Sequence, residues 1–476
     1  MNSKKLPYIY YIPLFFVLFL VSMFNKQNPF CGFYYRFDSV IYQYIGKMML
    51  NGQIPYRDIF DHKGPVVYFW NMLGYFINPV WGQWLIELLL LLISGYLAFN
   101  IATKYISPLS SFFITSIIFL CTTNVDAIGN TESLAVVLTF LCFKIFNDFL
   151  SNKALTYKQS MTIGFCCAAM LMIKPTYLTT PFVLICTVLC IFIYNKNFKE
   201  LFLHILYFSI AFLAIILSIL LWLYYHNALE DFWYSYISFN FEYIKYWQNS
   251  NAKNLALVLF IRDGLVISSF LLMLILVSGC KRLSNNEKIF SLNMIISFVI
   301  GFICIILPNT PFFHYLYALY PITFVMAVLC IKLFSKYQKV FNIVLFIIFL
   351  FCINKAYPPA LECKRESQIP HAANILNFYL DKNDTIQVLG CDMGRIHLLS
   401  KRNSATKYVL SGMIERLYPK LLFDAIKAAS PKAIVILTKD ANIHKQYIKN
   451  IWPEFFDKYM LFYYNSEYEI YMPDKS

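Results

Sequence analysis

Charge is scarce in this chain, and acid is scarcer than base. Only 14% of its 476 residues are Asp, Glu, Lys or Arg, with 26 acids against 40 bases. So thin a polar complement excludes a large soluble core beneath a solvated surface. Glycine is sparse too, at 15 residues, and none of it forms the Gly-rich loop that cradles nucleotide phosphates. There is no internal repeat and no low-complexity tract, which sets aside solenoids and arrays. The 13 cysteines lack paired spacing. Most, such as Cys142, Cys166, Cys167, Cys190 and Cys330, fall in apolar runs and read as small buried hydrophobes. Cys31, Cys363 and Cys391 fall in segments read as outward-facing, where one disulfide among them is left open.

What the chain has is hydrocarbon. Hydrophobic residues make up 59% of it, and apolar stretches of membrane-spanning length recur from Pro7 to Ala356. This predicts a mainly α, polytopic membrane protein. The first stretch follows Lys4 and Lys5 as a signal peptide would, but it lacks a small-residue cleavage site and reads as a retained helix. About eleven spans are expected: 7–24, 81–103, 108–123, 132–150, 160–173, 177–194, 201–225, 255–279, 289–307, 313–333 and 340–356. Those opening at Pro108 and Ser160 are short, and a re-entrant pair would give the same apolar text.

Orientation follows from the lysines and arginines of the short loops. With a cytoplasmic N-terminus, the inside loops hold Lys4, Lys5, Lys104, Lys153, Lys158, Lys196, Lys199, Lys281, Arg282, Lys288, Lys332, Lys336 and Lys339. The outside connections hold the carboxylates Asp38, Asp58, Asp61, Asp126, Glu132, Glu230, Asp231, Glu242 and Asp263. Chemistry that needs carboxylates is therefore expected on the extracytoplasmic face. The net charge of +14 is accounted for by topology-setting lysines near anionic headgroups rather than by a nucleic-acid surface.

Two domains are expected: residues 1–356 form the transmembrane domain, with a long first outer loop at 25–80, and residues 357–476 form a small extracytoplasmic α/β domain. Amphipathic patterning at 38–50 and 65–77 predicts two surface helices in the outer loop, separated by a turn at Asn51-Gly52 and Pro55. A second outer loop, 226–254, is rich in aromatics. Past Ala356, strands are expected at 385–391, 433–438, 461–464 and 469–472, with helices at 372–380 and 416–429.

The densest chemistry is Asp61-His62-Lys63-Gly64-Pro65. Lys63 and His62 suit a phosphate, and Asp61 suits orienting His62 or binding an acceptor; Gly64 and Pro65 supply the turn and helix start. The plainer reading is a solvated loop whose charges reach for headgroups. Asp38 opens a predicted surface helix with Tyr42 one turn on. A carboxylate there suits proton abstraction from a hydroxyl, and it equally suits capping. Glu132 and Lys174 stand at the outer ends of predicted spans, where ionisable groups are functional candidates, although capping and snorkelling explain them as well. His314-Tyr315 opens the tenth span.

Taken together, Asp38 with Tyr42, the long first loop, the Asp61–Pro65 run, Glu132 in an Asn-Thr-Glu-Ser setting and His314-Tyr315 before Pro321 resemble the bacterial GT-C membrane glycosyltransferases. The nearest branch is the protein O-mannosyltransferase and lipid A aminoarabinose transferase group. The resemblance implies a GT-C-like bundle in the bacterial inner membrane with its C-terminal domain extracytoplasmic. It implies a polyprenyl-phosphate sugar donor, a glycan, lipid or protein acceptor, inversion at the anomeric carbon, and Asp38 as base. Catalysis would rest on Asp38 and Asp61, with Tyr42, His62, Lys63, Glu132, Lys174, His314 and Tyr315 binding substrate. The chain departs from the pattern at Ser39, where many members carry a second acid, and at Lys63-Gly64-Pro65, which replaces a His-Pro-Pro style. No cofactor follows from this; a divalent cation stays open, with Lys63 as the alternative source of positive charge. The rival readings are a lipid-linked polysaccharide polymerase, a flippase and a non-catalytic envelope-assembly protein.

Overall fold

The computed structural model describes residues 7–24, 28–29, 38–122, 131–249, 255–310, 312–362, 369–390, 394–438 and 441–474. Cys31, Asp126, Cys363 and Cys391 lie outside the described residues. Among those described, eight helices are long and apolar enough to cross a bilayer: Gly82–Ala102, Thr131–Asn152, Pro175–Tyr194, Phe198–Tyr225, Gly264–Arg282, Asn285–Ile306, Phe313–Leu333 and Ser335–Ala356. Tyr8–Phe24 and Pro108–Thr122 are shorter apolar helices. A helix meets its own backbone hydrogen bonds where water is absent, so apolar runs of this length have few alternatives in hydrocarbon. The chain is a multi-pass membrane protein with a small C-terminal sheet.

The expected eleven spans are not matched one for one. The run 255–279 is two helices, Leu255–Phe260 and Gly264–Gly279; Asp263 caps the second by accepting the Leu265 N–H at 2.8 Å. The run 160–173 is the 15-residue helix Tyr157–Leu171, which starts at a Thr156/Gln159 capping box. At 1.5 Å per residue that helix reaches about 22 Å, short of a hydrocarbon core of about 30 Å.

By internal contacts the chain forms two compact units. The first comprises Met1–Cys31, Trp84–Leu221 and Trp247–Leu361 and holds most of the long apolar helices. Gly164 marks a close approach inside it: a Cβ there would stand 2.3 Å from the Phe208 carbonyl oxygen, so a larger residue would force the two helices apart.

The second unit comprises Gly32–Gln83, Trp222–Tyr246 and Glu362–Ser476. Helices are present at Asp38–Leu50, most of it buried, and at Pro65–Ile77, packed against each other where a Cβ on Gly46 would meet the Met72 backbone nitrogen at 2.5 Å. The sheet contains β1 (Thr385–Leu389), β2 (Asn403–Ser404), β3 (Ala433–Leu437), β4 (Tyr459–Tyr464) and β5 (Tyr468–Pro473), in the order β2-β1-β3-β5-β4. β2 and β3 run parallel to β1 across helical connections, and β5 and β4 close the sheet as an antiparallel hairpin. The helix expected at 416–429 breaks into Ser411–Leu417 and Pro419–Ala429, because the residue before a proline is pushed out of helical geometry.

One core of this unit joins sequence-distant segments. Phe60 from the first loop and Phe239 from the second pack with Leu389, Phe423, Ile436 and Trp452 of the C-terminal segment. The Phe60 and Phe239 rings meet edge-on at 4.9 Å, and the Phe60 N–H donates to the Lys407 carbonyl at 2.8 Å. Tyr44 adds a second link: its hydroxyl accepts the Ser404 N–H at 2.9 Å and its ring lies 5.4 Å from His397. Burial pushes the His397 imidazole down to about 3, so that ring is neutral.

Candidate active site

Two groups of the sequence-selected residues come together, each within one unit. In the second unit, Asp61, His62 and Lys63 are all buried, so the loop is not solvated. Buried charge requires partners, and the surroundings supply them. The Tyr68 hydroxyl donates to Asp61 Oδ2 at 2.7 Å, and the His62 backbone N–H donates to Oδ1 at 2.8 Å. The Lys63 N–H donates to the Tyr68 oxygen at 3.2 Å, and the Tyr56 hydroxyl donates to the Lys63 carbonyl at 2.7 Å. Asn240 donates from Nδ2 to the His62 carbonyl at 2.8 Å. The His62 ring packs beside those of Phe239, at 5.9 Å, and Tyr243, at 5.4 Å, which stack on each other at 6.5 Å.

Lys63 Nζ stands 2.5 Å from His62 Nε2. An ammonium has only donors, so Nε2 accepts and the ring proton sits on Nδ1, which is 3.5 Å from Asp61 Oδ1. Tyr68, Asp61, His62 and Lys63 thus form one polar chain. Burial drives the Asp61 carboxyl up to about 6, opposed by the Lys63 charge and by the hydrogen bonds from Tyr68 and His62. The charge of Asp38 adds to the upward shift, which puts Asp38 within electrostatic range of Asp61. Asp38 opens its helix with a half-buried side chain, and Tyr42 one turn on is buried with its ring 6.2 Å from Tyr68.

In the first unit, Glu132 is buried at the start of Thr131–Asn152, beside the Tyr177 hydroxyl but short of a well-formed hydrogen bond; that hydroxyl pairs with Thr131 at 2.6 Å. Lys174 stands 3.2 Å above the centre of the Tyr315 ring and 5.8 Å from that of Tyr177. His314 packs edge-on against Tyr315 at 4.6 Å. Lys174, Thr176, Tyr177 and Tyr315 line a cavity of about 20 Å³, room for roughly one water-sized guest. Glu87, buried in Gly82–Ala102, joins Glu132 in acting on Tyr317 electrostatically.

Sequence reading missed Tyr56, Tyr68, Asn240 and Glu87. Tyr68 falls at i+3 of the Pro65 helix and carries only an apolar-face signal; Glu87, an acid six residues into an apolar run, was the one with a usable signal.

A cation would need a converging donor set. Among the described residues no three His, Cys, Asp or Glu side chains form one, and the Nε2 lone pair of His62 faces Lys63. The donor set here fits an ammonium rather than a metal ion.

Compared by sequence, the chain matches no curated protein. By structure it is similar to ArnT, a lipid A aminoarabinose transferase, of Cupriavidus metallidurans in the apo state, at 10% identity and TM-score 0.63 over 97% of each chain. It is similar to the same protein bound to undecaprenyl phosphate, at 10% identity and TM-score 0.61 over 100% of this chain and 99% of that one. A third likeness is to the oligosaccharyltransferase AglB of Archaeoglobus fulgidus in complex with an inhibitory peptide and a dolichol-phosphate: 10% identity, TM-score 0.52, 100% of this chain and 75% of that one. Both proteins are GT-C glycosyltransferases, and the likeness at this identity establishes the GT-C fold. Residues 2–361 match the family described as "Putative competence-induced protein Ccs4 N-terminal domain", and the chain belongs to that family.

Proposed function

We propose that this protein is an inverting glycosyltransferase of a bacterial cell membrane that moves a sugar from a polyprenyl-phosphate donor to a hydroxyl on the extracytoplasmic side. The observation that carries this reading is the buried Asp61-His62-Lys63 chain with Asp38 beside it, in a GT-C fold whose ArnT relative holds undecaprenyl phosphate.

Asp38 takes the proton of the acceptor hydroxyl as that oxygen attacks the anomeric carbon. The bond from the anomeric carbon to the phosphate oxygen breaks, and both electrons leave with the lipid phosphate. Lys63 offsets that departing charge; its ammonium has donors to spare beyond the one on His62. Asp61 holds His62 and so sets the direction of Lys63, with Tyr68 and Asn240 fixing the loop. Lys174 over Tyr315 is a second candidate for the lipid phosphate. The C-terminal sheet, sharing a core with Phe60, supports the loop and is suited to select the acceptor. Residues 1–356 are proposed as the catalytic membrane domain and 357–476 as the extracytoplasmic one.

The test is transfer by the purified protein in lipid from a panel of polyprenyl-phosphate sugars, with the anomeric configuration of the product read by NMR. An inverted product supports the proposal, and a retained configuration rejects it. One observation favours a flippase instead: Glu87 and Glu132 are buried on membrane helices, as a transport path would require. Translocation of a lipid-linked sugar without transfer would establish that reading.

A further inference from the structure

One cavity of the first unit lies away from the residues discussed so far. Its volume is about 320 Å³, in the range of small-ligand sites of roughly 300–1,000 Å³. Its walls are the last turns of Thr131–Asn152 (Phe146, Phe149), the first turns of Tyr157–Leu171 (Ile163), most of the length of Thr179–Tyr194 (Val188, Phe192) and the first turns of Phe198–Tyr225 (Phe208). The lining is almost wholly apolar. Its polar residues are Ser160, His204 and Ser209, with His204 Nδ1 paired with Ser160 Oγ at 2.9 Å.

Four exposed lysines stand at that end, where these helices are joined: Lys153 in a loop with Lys158 in the first turn of the next helix, and Lys196 in a loop with Lys199 in the first turn of the next. Lys153 donates to a neutral acceptor, Asn286 Oδ1, at 2.7 Å, so its charge is not cancelled. The acids at this end are Asp148, already paired with Lys104 and Lys144; Glu200, which accepts from the Tyr157 hydroxyl and stands 4.0 Å from His204 Nε2; and Glu287, next to Asn286, which accepts the Ser284 N–H at 2.8 Å. A net positive rim over an apolar slot between membrane helices is complementary to an anionic headgroup with a hydrocarbon tail. The slot extends along Thr179–Tyr194 from Phe192 to Pro181, eleven residues or about 16 Å of helix.

We infer that this is a binding site for an anionic phospholipid, with an acyl chain in the cavity and the phosphodiester on Lys153, Lys158, Lys196 and Lys199. The tail of a polyprenyl-phosphate donor is the poorer fit, because the Lys174–Tyr315 pair stands before the opposite end of the same helix, which spans about 23 Å from Thr179 to Tyr194. The inference does not depend on the proposed transfer reaction.

The test uses the full chain in phosphatidylcholine nanodiscs doped with chain-spin-labelled phosphatidylglycerol or phosphatidylcholine, reading the motionally restricted fraction. The wild type is expected to select phosphatidylglycerol by roughly tenfold. Replacing the rim (Lys153→Gln, Lys158→Gln, Lys196→Gln, Lys199→Gln) abolishes the selectivity, whereas the control set Lys281→Gln, Lys288→Gln, Lys336→Gln, Lys339→Gln keeps it. Val188→Trp, filling the slot, lowers the restricted fraction of both lipids. Equal restriction of the two lipids by the wild type, unchanged selectivity in the rim variant, or displacement of phosphatidylglycerol by stoichiometric undecaprenyl phosphate would each overturn the inference.

Discussion

Tyr68 donates its hydroxyl to Asp61 Oδ2 at 2.7 Å, and both side chains are buried. The loop residue with the most perturbed carboxyl is thereby tied to the helix that follows it, and the pair sets how the cluster responds to pH.

Asp61 titrates near 6 in the folded protein, mainly through burial, against about 3.9 for an ordinary aspartate. The folded state therefore holds the proton more tightly than the unfolded chain, and stability falls as pH rises from about 4 to about 6. Two pH units correspond to about 3 kcal/mol in total. Thermal unfolding of the protein in lipid across that window should show the slope, and Asp61→Asn should flatten it. Tyr68→Phe removes a hydrogen bond that lowers the Asp61 value, so its falling limb should extend to higher pH.

Lys63 serves two roles in this account, holding His62 and lowering the Asp61 value. Lys63→Met should weaken undecaprenyl phosphate binding roughly tenfold or more, on the strength of one charge-assisted contact. It should also move the Asp61 titration upward. A variant that binds the lipid normally would remove Lys63 from the phosphate.

Phe60 is a loop residue in the core that includes the C-terminal sheet. Phe60→Ala should cost about 3–5 kcal/mol. Hydrogen exchange should rise in β1 and β3 together with the 54–63 loop; exchange confined to the loop would contradict a shared core.

Lys174 over the Tyr315 ring is a cation–π contact. Tyr315→Phe keeps the ring face and should retain the cation–π contact, whereas Tyr315→Leu should lose a further contribution of about 0.5–2 kcal/mol in thermal unfolding. Equal loss in both variants would assign the effect to the hydroxyl instead.

Much of this was legible in the sequence. The helices Asp38–Leu50 and Pro65–Ile77 fall where amphipathic patterning placed them, and the strands near 385, 433, 461 and 469 are present. Periodicity reports which face of an element is apolar, but it does not report what covers that face. The Asn240 contact to His62 spans 178 positions, and Phe60 reaches Lys407 across the chain, so neither left a local signal. β2 is only two residues long and has no pattern to read. The plainer reading of the dense first-loop charges, a solvated loop, does not hold: in the fold Asp61, His62 and Lys63 are buried against one another.

Asp38 is proposed as the base of a lipid-donor sugar transfer. The direct measurement is the rate of polyprenyl phosphate release coupled to sugar transfer, comparing wild type with Asp38→Asn in the same lipid after matching their thermal stability. Transfer by Asp38→Asn should fall roughly 10²–10⁴-fold, the usual contribution of a general base. Near-normal transfer by Asp38→Asn would contradict it.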